Sequence, residues 1–375
     1  MSPRHAYLHV PFCRHRCGYC DFPLVAGRDD LVEGYFRALE IELERLAEPL
    51  RLDTLYLGGG TPSQLGPEGL RRLFGLLSGR LLLSPEAEVT LEANPLDVTG
   101  PLIEAVVECG ITRVSLGGQS LDAATLIALD RDHAPDDVRH AVELLARAGL
   151  AVSCDLMIAA PGQTLTAVQR DLRRLVSLDC GHLSVYCLTW EPGTAFEVAR
   201  RKGRLAAVDE ELERAMFLEA IDRLTAAGYE HEEVSNFARP GCRCRHNEAY
   251  WLCRPWEAFG PGAARFDGRV RLTNHRSVTT WIRRLLAGED PVADRDVMND
   301  EEAARERLVL GLRRREGVDR AAFREESGFD LDSLACDAIR RWRAVGLVED
   351  DSLRLRLTRE GLLVSDSLWA DVLEK

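Results

Sequence analysis

Six short apolar or β-branched runs alternate with longer amphipathic stretches across residues 5–200, and that rhythm constrains the fold more than any single residue does. The runs are "AYLHV" (6–10), "TLYLG" (54–58), "EVTLEA" (88–93), "TRVSLG" (112–117), "AVSCDLMIA" (151–159) and "HLSVYCL" (182–188). In the stretch "DDLVEGYFRALEIELERLAE" (29–48), Leu31, Tyr35, Phe36, Leu39, Leu43 and Leu46 keep to one face of a helix. Strand runs alternating with helical patterns signal βαβ units and a parallel sheet. Six units are too few for a closed eight-fold barrel and fit a partial (β/α)6 barrel, an α/β fold.

After this region "AVDEELERAMFLEAIDRLTAAG" (207–228) reads as a long helix and "YEHEEVSNFA" (229–238) as an added strand. A loop rich in Arg, Cys, Gly and Trp follows, from Arg239 to about Phe266. The expected organisation is therefore a barrel over 1–228, an added strand and loop region over 229–285, a polar linker over 286–300, and a terminal unit over 301–375. That last unit shows helical patterns at 301–313, 318–327 and 331–345, a hairpin at 347–358 and a final helix, the order of a winged-helix-like module. Its 14 Lys or Arg against 17 Asp or Glu favour packing or protein contact over DNA binding. The whole chain of 375 residues carries a formal charge of −13, which repels polyphosphate, so no nucleic-acid partner is expected.

No apolar run reaches the roughly 18 residues that a membrane span requires, so an integral membrane protein is not expected. The opening "MSPRHAYLHVPFC" has no basic head followed by an apolar stretch, which points to a cytoplasmic protein. In a reducing compartment eleven cysteines, an odd number, do not form a disulfide framework. Cys109, Cys154, Cys180, Cys187 and Cys336 stand singly in apolar surroundings and read as small buried hydrophobes. Cys13, Cys17 and Cys20 fall within eight positions among polar and glycine residues, the pattern of ligation. Three thiolates bind zinc or an iron–sulfur cluster. Zinc needs a fourth ligand, for which His9, His15, Asp21 or the later Cys242 and Cys244 are the candidates. A cubane on three cysteines leaves one iron for a cofactor or substrate.

The unusual stretches fall after the strands, where (β/α) barrels place their chemistry. The cysteine loop follows the first strand, "GGGTPS" (58–63) the second, "EANP" (92–95) the third and "GGQS" (117–120) the fourth, while Asp155 lies in the fifth. "GGGTP" is expected to expose backbone N–H groups to a ligand, without the Lys–Ser/Thr ending of a P-loop. Glu92 and Asp155 suit an ammonium group or ribose hydroxyls, or else a helix cap or a rim ion pair.

These stretches together resemble the radical S-adenosylmethionine superfamily: "CRHRCGYC" with Cys-x3-Cys-x2-Cys spacing, preceded by "YLHVPF" and followed by "YLGGGTPS". "LEANP", "RVSLGGQS", "LDRDH", "DLMIAAPGQT", "YEHEEVSNFARPG" and "RHNEAYW" resemble the branch of oxygen-independent coproporphyrinogen III oxidases and their relatives. The resemblance implies a 4Fe–4S cluster on Cys13, Cys17 and Cys20. It implies S-adenosylmethionine bound by Tyr7, Gly59, Gly60, Thr61, Glu92, Gln119, Arg131 and Asp155, and a reductant for the cluster. In this superfamily an electron from the cluster cleaves the sulfonium to a 5′-deoxyadenosyl radical.

Within the branch, the oxidases decarboxylate coproporphyrinogen III, whereas HemW-type chaperones bind heme and pass it to acceptor proteins. The oxidases resembled here carry a further cysteine two positions after the third, where this chain has Phe22, and a longer segment ahead of the cluster, where it has twelve residues. "HNEAYW" (246–251) resembles the HNxxYW motif of the chaperones, which implies His246 as an axial heme ligand with Tyr250 beside the macrocycle. The expectation is a heme chaperone, with heme and heme-accepting proteins as partners. The oxidase is the alternative, and a tRNA-modifying radical enzyme or a zinc-binding module stand further off. No catalytic residue beyond these emerges.

Overall fold

The computed structural model describes residues 2–373. Six strands, β1 (His5–Val10), β2 (Leu50–Gly59), β3 (Leu81–Ala93), β4 (Arg113–Gln119), β5 (Ala151–Ile158) and β6 (His182–Cys187), pair in parallel in that order. Between and after them run α1 (Val32–Glu44), α2 (Gly66–Leu77), α3 (Gly100–Glu108), α4 (Pro135–Arg147), α5 (Leu165–Ser177) and α6 (Glu210–Ala226). Several helices begin on side-chain caps: Thr99, Thr164 and Asp209 each accept a first-turn backbone N–H. The fold is the expected α/β partial barrel.

Side chains alternate along each strand, and the two faces differ sharply in polarity. Ala6, Leu8 and Val10, Leu55 and Leu57, Val89 and Leu91, Val114 and Leu116, and Leu183 and Val185 enter one large apolar core with the helices. The opposite positions carry Tyr56, Glu92, Arg113, Ser115, Gln119, Ser153, Asp155, His182, Ser184 and Tyr186, and these line a cavity. An all-parallel sheet with both faces against protein usually reads apolar on both. Here the concave face is polar because it surrounds a cavity instead of a packed core.

The sheet stays open and continues at both ends. Beyond β6 come β8 (Asn236–Ala238) and β7 (Glu230–His231), both antiparallel. The expected single strand over 229–238 is thus two short ones, broken at 232–235. On the other side β9 (Trp256–Phe259) pairs in parallel with β1. The sheet then runs on antiparallel through β10 (Ala264–Phe266), β11 (Val270–Asn274) and β12 (Val292–Val297).

Two expectations are corrected here. The stretch read as a loop to Phe266 contains α7 (Arg245–Trp251) and two strands. The stretch read as a linker holds the edge strand β12, whose charged "VADRDV" is almost wholly exposed. A solvated edge strand has one unpaired side and tolerates the charges that mimic a linker.

Residues 300–373 form a unit with its own core of Leu308, Leu312, Phe323, Ile339, Trp342 and Leu355. Helices Asp300–Arg313, Arg320–Ser327 and Leu331–Ala344 pack on a three-strand wing of Val318–Asp319, Arg354–Leu357 and Val348–Asp350. The expected last helix is three short segments starting at Arg359. Among the single cysteines, Cys154 and Cys180 are buried and Cys109 and Cys187 half-buried, but Cys336 is exposed on its helix and is not a core residue. No helix among the described residues is long and apolar enough to cross a membrane.

One buried carboxylate ties the added strands to the barrel. Glu42 of α1 accepts the Gly260 N–H at 2.8 Å and the Asn274 side-chain amide at 2.7 Å. Glu42→Ala leaves the buried Gly260 N–H without its acceptor and the Asn274 amide with only the Gly260 carbonyl, and should lower the unfolding free energy by about 2–4 kcal/mol in urea titrations.

Candidate cofactor site

The cysteine loop leaves β1 and folds back on itself. Phe12–Cys13 pairs in parallel with Val25–Ala26, and Arg16 donates to the carbonyls of Cys20 and Leu24. Gly18 lies flat against the Phe196 ring, where a Cβ would come within 2.3 Å of it. The loop thereby holds Cys13, Cys17 and Cys20 at the mouth of a cavity of about 660 Å³ that descends into the barrel. Thr61 Oγ1 lies 3.2 Å from the Cys13 sulfur, and Arg131 donates to the Cys17 sulfur at 3.3 Å. Burial pushes the Cys13 thiol up to about 11 and raises Cys20, so ligation must expel protons from these thiols. Three thiols on one loop, with a cationic guanidinium on one of them, fit the donor set of a 4Fe–4S cluster.

The candidate zinc partners are engaged elsewhere. His9 Nε2 meets the Pro23 carbonyl, His15 meets Asp130 and Asp21 pairs with Arg276. Cys244 lies at the far end of the cavity near Glu88, and Cys242 is exposed.

Seven of the eight residues expected around S-adenosylmethionine line the cavity: Gly59, Gly60, Thr61, Glu92, Gln119, Arg131 and Asp155. Glu92 accepts from the Tyr56 hydroxyl at 2.9 Å and from the Gly59 N–H at 3.1 Å. Asp155 faces Ser115 at 3.5 Å, Tyr186 donates to the Gln119 amide oxygen at 3.0 Å, and Arg131 donates to the Gly117 carbonyl. Burial pushes the Glu92 carboxyl up to about 7 and that of Asp155 to about 6. Tyr7 is the exception. It sits behind Tyr56, with its hydroxyl 3.1 Å from His9 Nδ1. Because His9 Nε2 donates to Pro23, Nδ1 accepts and the Tyr7 hydroxyl proton is spent on it.

The glycine run works differently from the sequence expectation. The N–H groups of Gly59, Gly60 and Thr61 are used up on Glu92, Val10 and Phe12. Gly59 has φ +107°, and its Cβ would fall 2.3 Å from the His9 ring; at Gly60 it would meet the Phe12 backbone at 2.7 Å. The run lets the cysteine loop lie against β2, and no open cradle of N–H donors remains.

His246 and Tyr250 are not brought to the cavity. His246 is 1% exposed, with Nδ1 2.8 Å from Thr54 Oγ1, Nε2 2.9 Å from the Tyr250 hydroxyl and its ring stacked on Tyr56. Both ring nitrogens are occupied, so in this arrangement the imidazole is not available to a heme iron. The neighbour that α7 presents to the cavity is Asn247. Sequence reasoning missed Arg113, Ser115, Asn247 and Tyr186. The period-two alternation in "RVSLGGQ" was the available signal for the first two.

An open parallel barrel with three cysteines at its C-terminal rim and a polar interior is the architecture of radical S-adenosylmethionine proteins. The sequence profile of the Radical SAM superfamily matches residues 7–175, and that of the HemN C-terminal domain matches residues 298–364. The chain is 33% identical to the heme chaperone HemW of Bacillus subtilis, over 97% of both chains. It is 36% identical to the HemW of Mycobacterium tuberculosis, covering 98% of this chain and 94% of that one. The fold matches the coproporphyrinogen III oxidase HemN of Escherichia coli with a TM-score of 0.88 at 19% identity, over 100% of this chain and 90% of that one. The chain belongs to the HemW family of the radical SAM superfamily.

Two outcomes follow from the buried groups. His246→Ala strands the Tyr250 hydroxyl, leaves Thr54 only His5, and should cost about 2–3 kcal/mol of unfolding free energy; an unchanged urea midpoint would contradict the buried placement. Between about pH 4.5 and 7 the folded chain retains a proton on Glu92 that the unfolded chain releases, so this group's contribution to stability falls as pH rises. Glu92→Gln removes that dependence, and in urea titrations of cofactor-free protein the variant should gain on the wild type between pH 5 and pH 8.

Proposed function

We propose that the protein binds heme and transfers it to acceptor proteins, carrying a 4Fe–4S cluster and S-adenosylmethionine in the barrel. The observation that carries this reading is kinship with curated HemW chaperones along nearly the whole of both chains. Phe22 supports it. It stands where the oxidases of the resembled branch have a further cysteine, and it lies 63% exposed at the cavity mouth.

Cys13, Cys17 and Cys20 would hold the cluster, whose bound cofactor supplies one-electron cleavage of a sulfonium. The chain's own residues bind and orient. Glu92 and Asp155 offer carboxylate oxygens to ammonium and hydroxyl donors, while Tyr56, Ser115 and Ser184 fix their direction. Arg131 positions Cys17 and Gly117 together, and Tyr186 holds the Gln119 amide through its oxygen. Residues of the cysteine loop between Cys13 and Leu24 line the mouth. Reduction of the cluster calls for an external electron donor. Heme ligation by His246, implied by the motif, would require α7 to release Thr54 or Tyr250.

Anaerobic reconstitution should load iron and acid-labile sulfide into the wild type and far less into Cys17→Ala. Hemin titration should then give a saturable Soret change. Absence of heme binding, together with conversion of coproporphyrinogen III to protoporphyrinogen IX, would replace this reading with the oxidase.

A further inference from the structure

At the floor of the cavity, polar groups outnumber their partners. Arg113 opens β4, six residues and about 20 Å below Gln119 at the cysteine end. It is 6% exposed, its Nε is buried without a partner, and among the described residues its guanidinium makes no hydrogen bond or ion pair. The acidic groups near it are engaged or weakly charged. Glu88 accepts the N–H groups of Arg245 and His246 at 3.0 Å, and Asp155 faces Ser115. Glu232 is pushed up to about 7 by burial and lies 4.0 Å from His182. Asn247 of α7 lines the same end, and its side-chain amide has no protein partner among the described residues.

Leaving a buried guanidinium without a direct partner is costly, and its planar fork of donors matches a carboxylate in two parallel bonds. We propose that Arg113, with Asn247 beside it, is a carboxylate-binding subsite that anchors an acidic side chain of a tetrapyrrole inserted into the barrel. The proposal rests on the heme-binding reading for the identity of the ligand. The residues that would hold the methionine end of S-adenosylmethionine stand at the cysteine end of the barrel, about 20 Å from Arg113. A second cavity of about 540 Å³ reaches Arg113 from below, so water is the competing occupant.

Mesoporphyrin IX tests this without iron, and so without axial ligation. The reconstituted full chain is titrated with the diacid and with its dimethyl ester, followed by porphyrin fluorescence. The wild type should bind the diacid about tenfold or more tightly than the ester, the range for a charge-assisted hydrogen bond. Arg113→Gln should bring the diacid down to the level of the ester, and Arg113→Lys should keep part of the preference. Arg113→Gln should take up as much iron and acid-labile sulfide on reconstitution as the wild type, which shows that its barrel is folded.

Equal affinity for diacid and ester in the wild type overturns the subsite, and this comparison needs no variant to fold. An undiminished diacid preference in Arg113→Gln also overturns the subsite. Binding of hemin but not mesoporphyrin rejects the subsite and leaves the heme reading standing. Failure of both to bind rejects the two together.

Discussion

The alternation of side chains along six parallel strands is the constraint on which this structure depends. One face of each strand must bury apolar groups under helices, and Leu8, Leu57, Leu91, Leu116 and Val185 do so. The other face cannot then be exposed or packed dry, because it carries Glu92, Arg113, Asp155 and His182. Those groups need polar surroundings, and the sheet curves around a polar cavity. Openness follows from the same fact. Further strands, mostly antiparallel, extend the sheet at both ends, and the cavity keeps a mouth at the cysteine loop.

The site is built by close backbone approach as much as by side chains. Gly59 and Gly60 bring β2 against the cysteine loop, and the N–H groups that sequence reasoning offered to a ligand instead bond Glu92 and the loop. A loop carrying three cysteines has little regular structure of its own. Pairing to Val25–Ala26, the Arg16 bonds to two carbonyls and the contact with Phe196 define its shape. At the other end, α7 closes the floor. It has no side-chain cap of its own, and Glu88 of β3 accepts its first N–H groups from across the barrel.

That distant cap explains why the region from Arg239 to Phe266 looked structureless. A seven-residue helix has too few turns for periodicity to show, and its stabilising partner lies more than 150 residues away. The strand Val292–Val297 looked like a linker for a related reason: an edge strand with solvent on its surface needs no apolar alternation. The long apolar-striped elements, by contrast, were legible to within a few residues. Cys13, Cys17 and Cys20, and seven of the residues expected around the cofactor, do share one cavity. His246 shows the opposite case, where a motif legible in sequence is turned away from the cavity by Thr54 and Tyr250.

By itself the sequence determined the βα order, the partial barrel, the cysteine triad and the rim positions at the ends of strands. All of these follow from local periodicity and spacing, which need no knowledge of what lies across the barrel. Only the tertiary structure decided which way α7 faces, that Tyr7 spends its proton on His9, and that Arg113 is left without a partner at the floor. Each of those outcomes depends on which groups from distant strands reach the same few ångströms, and hydrogen-bond satisfaction inside a protein is settled by such meetings rather than by neighbours in sequence.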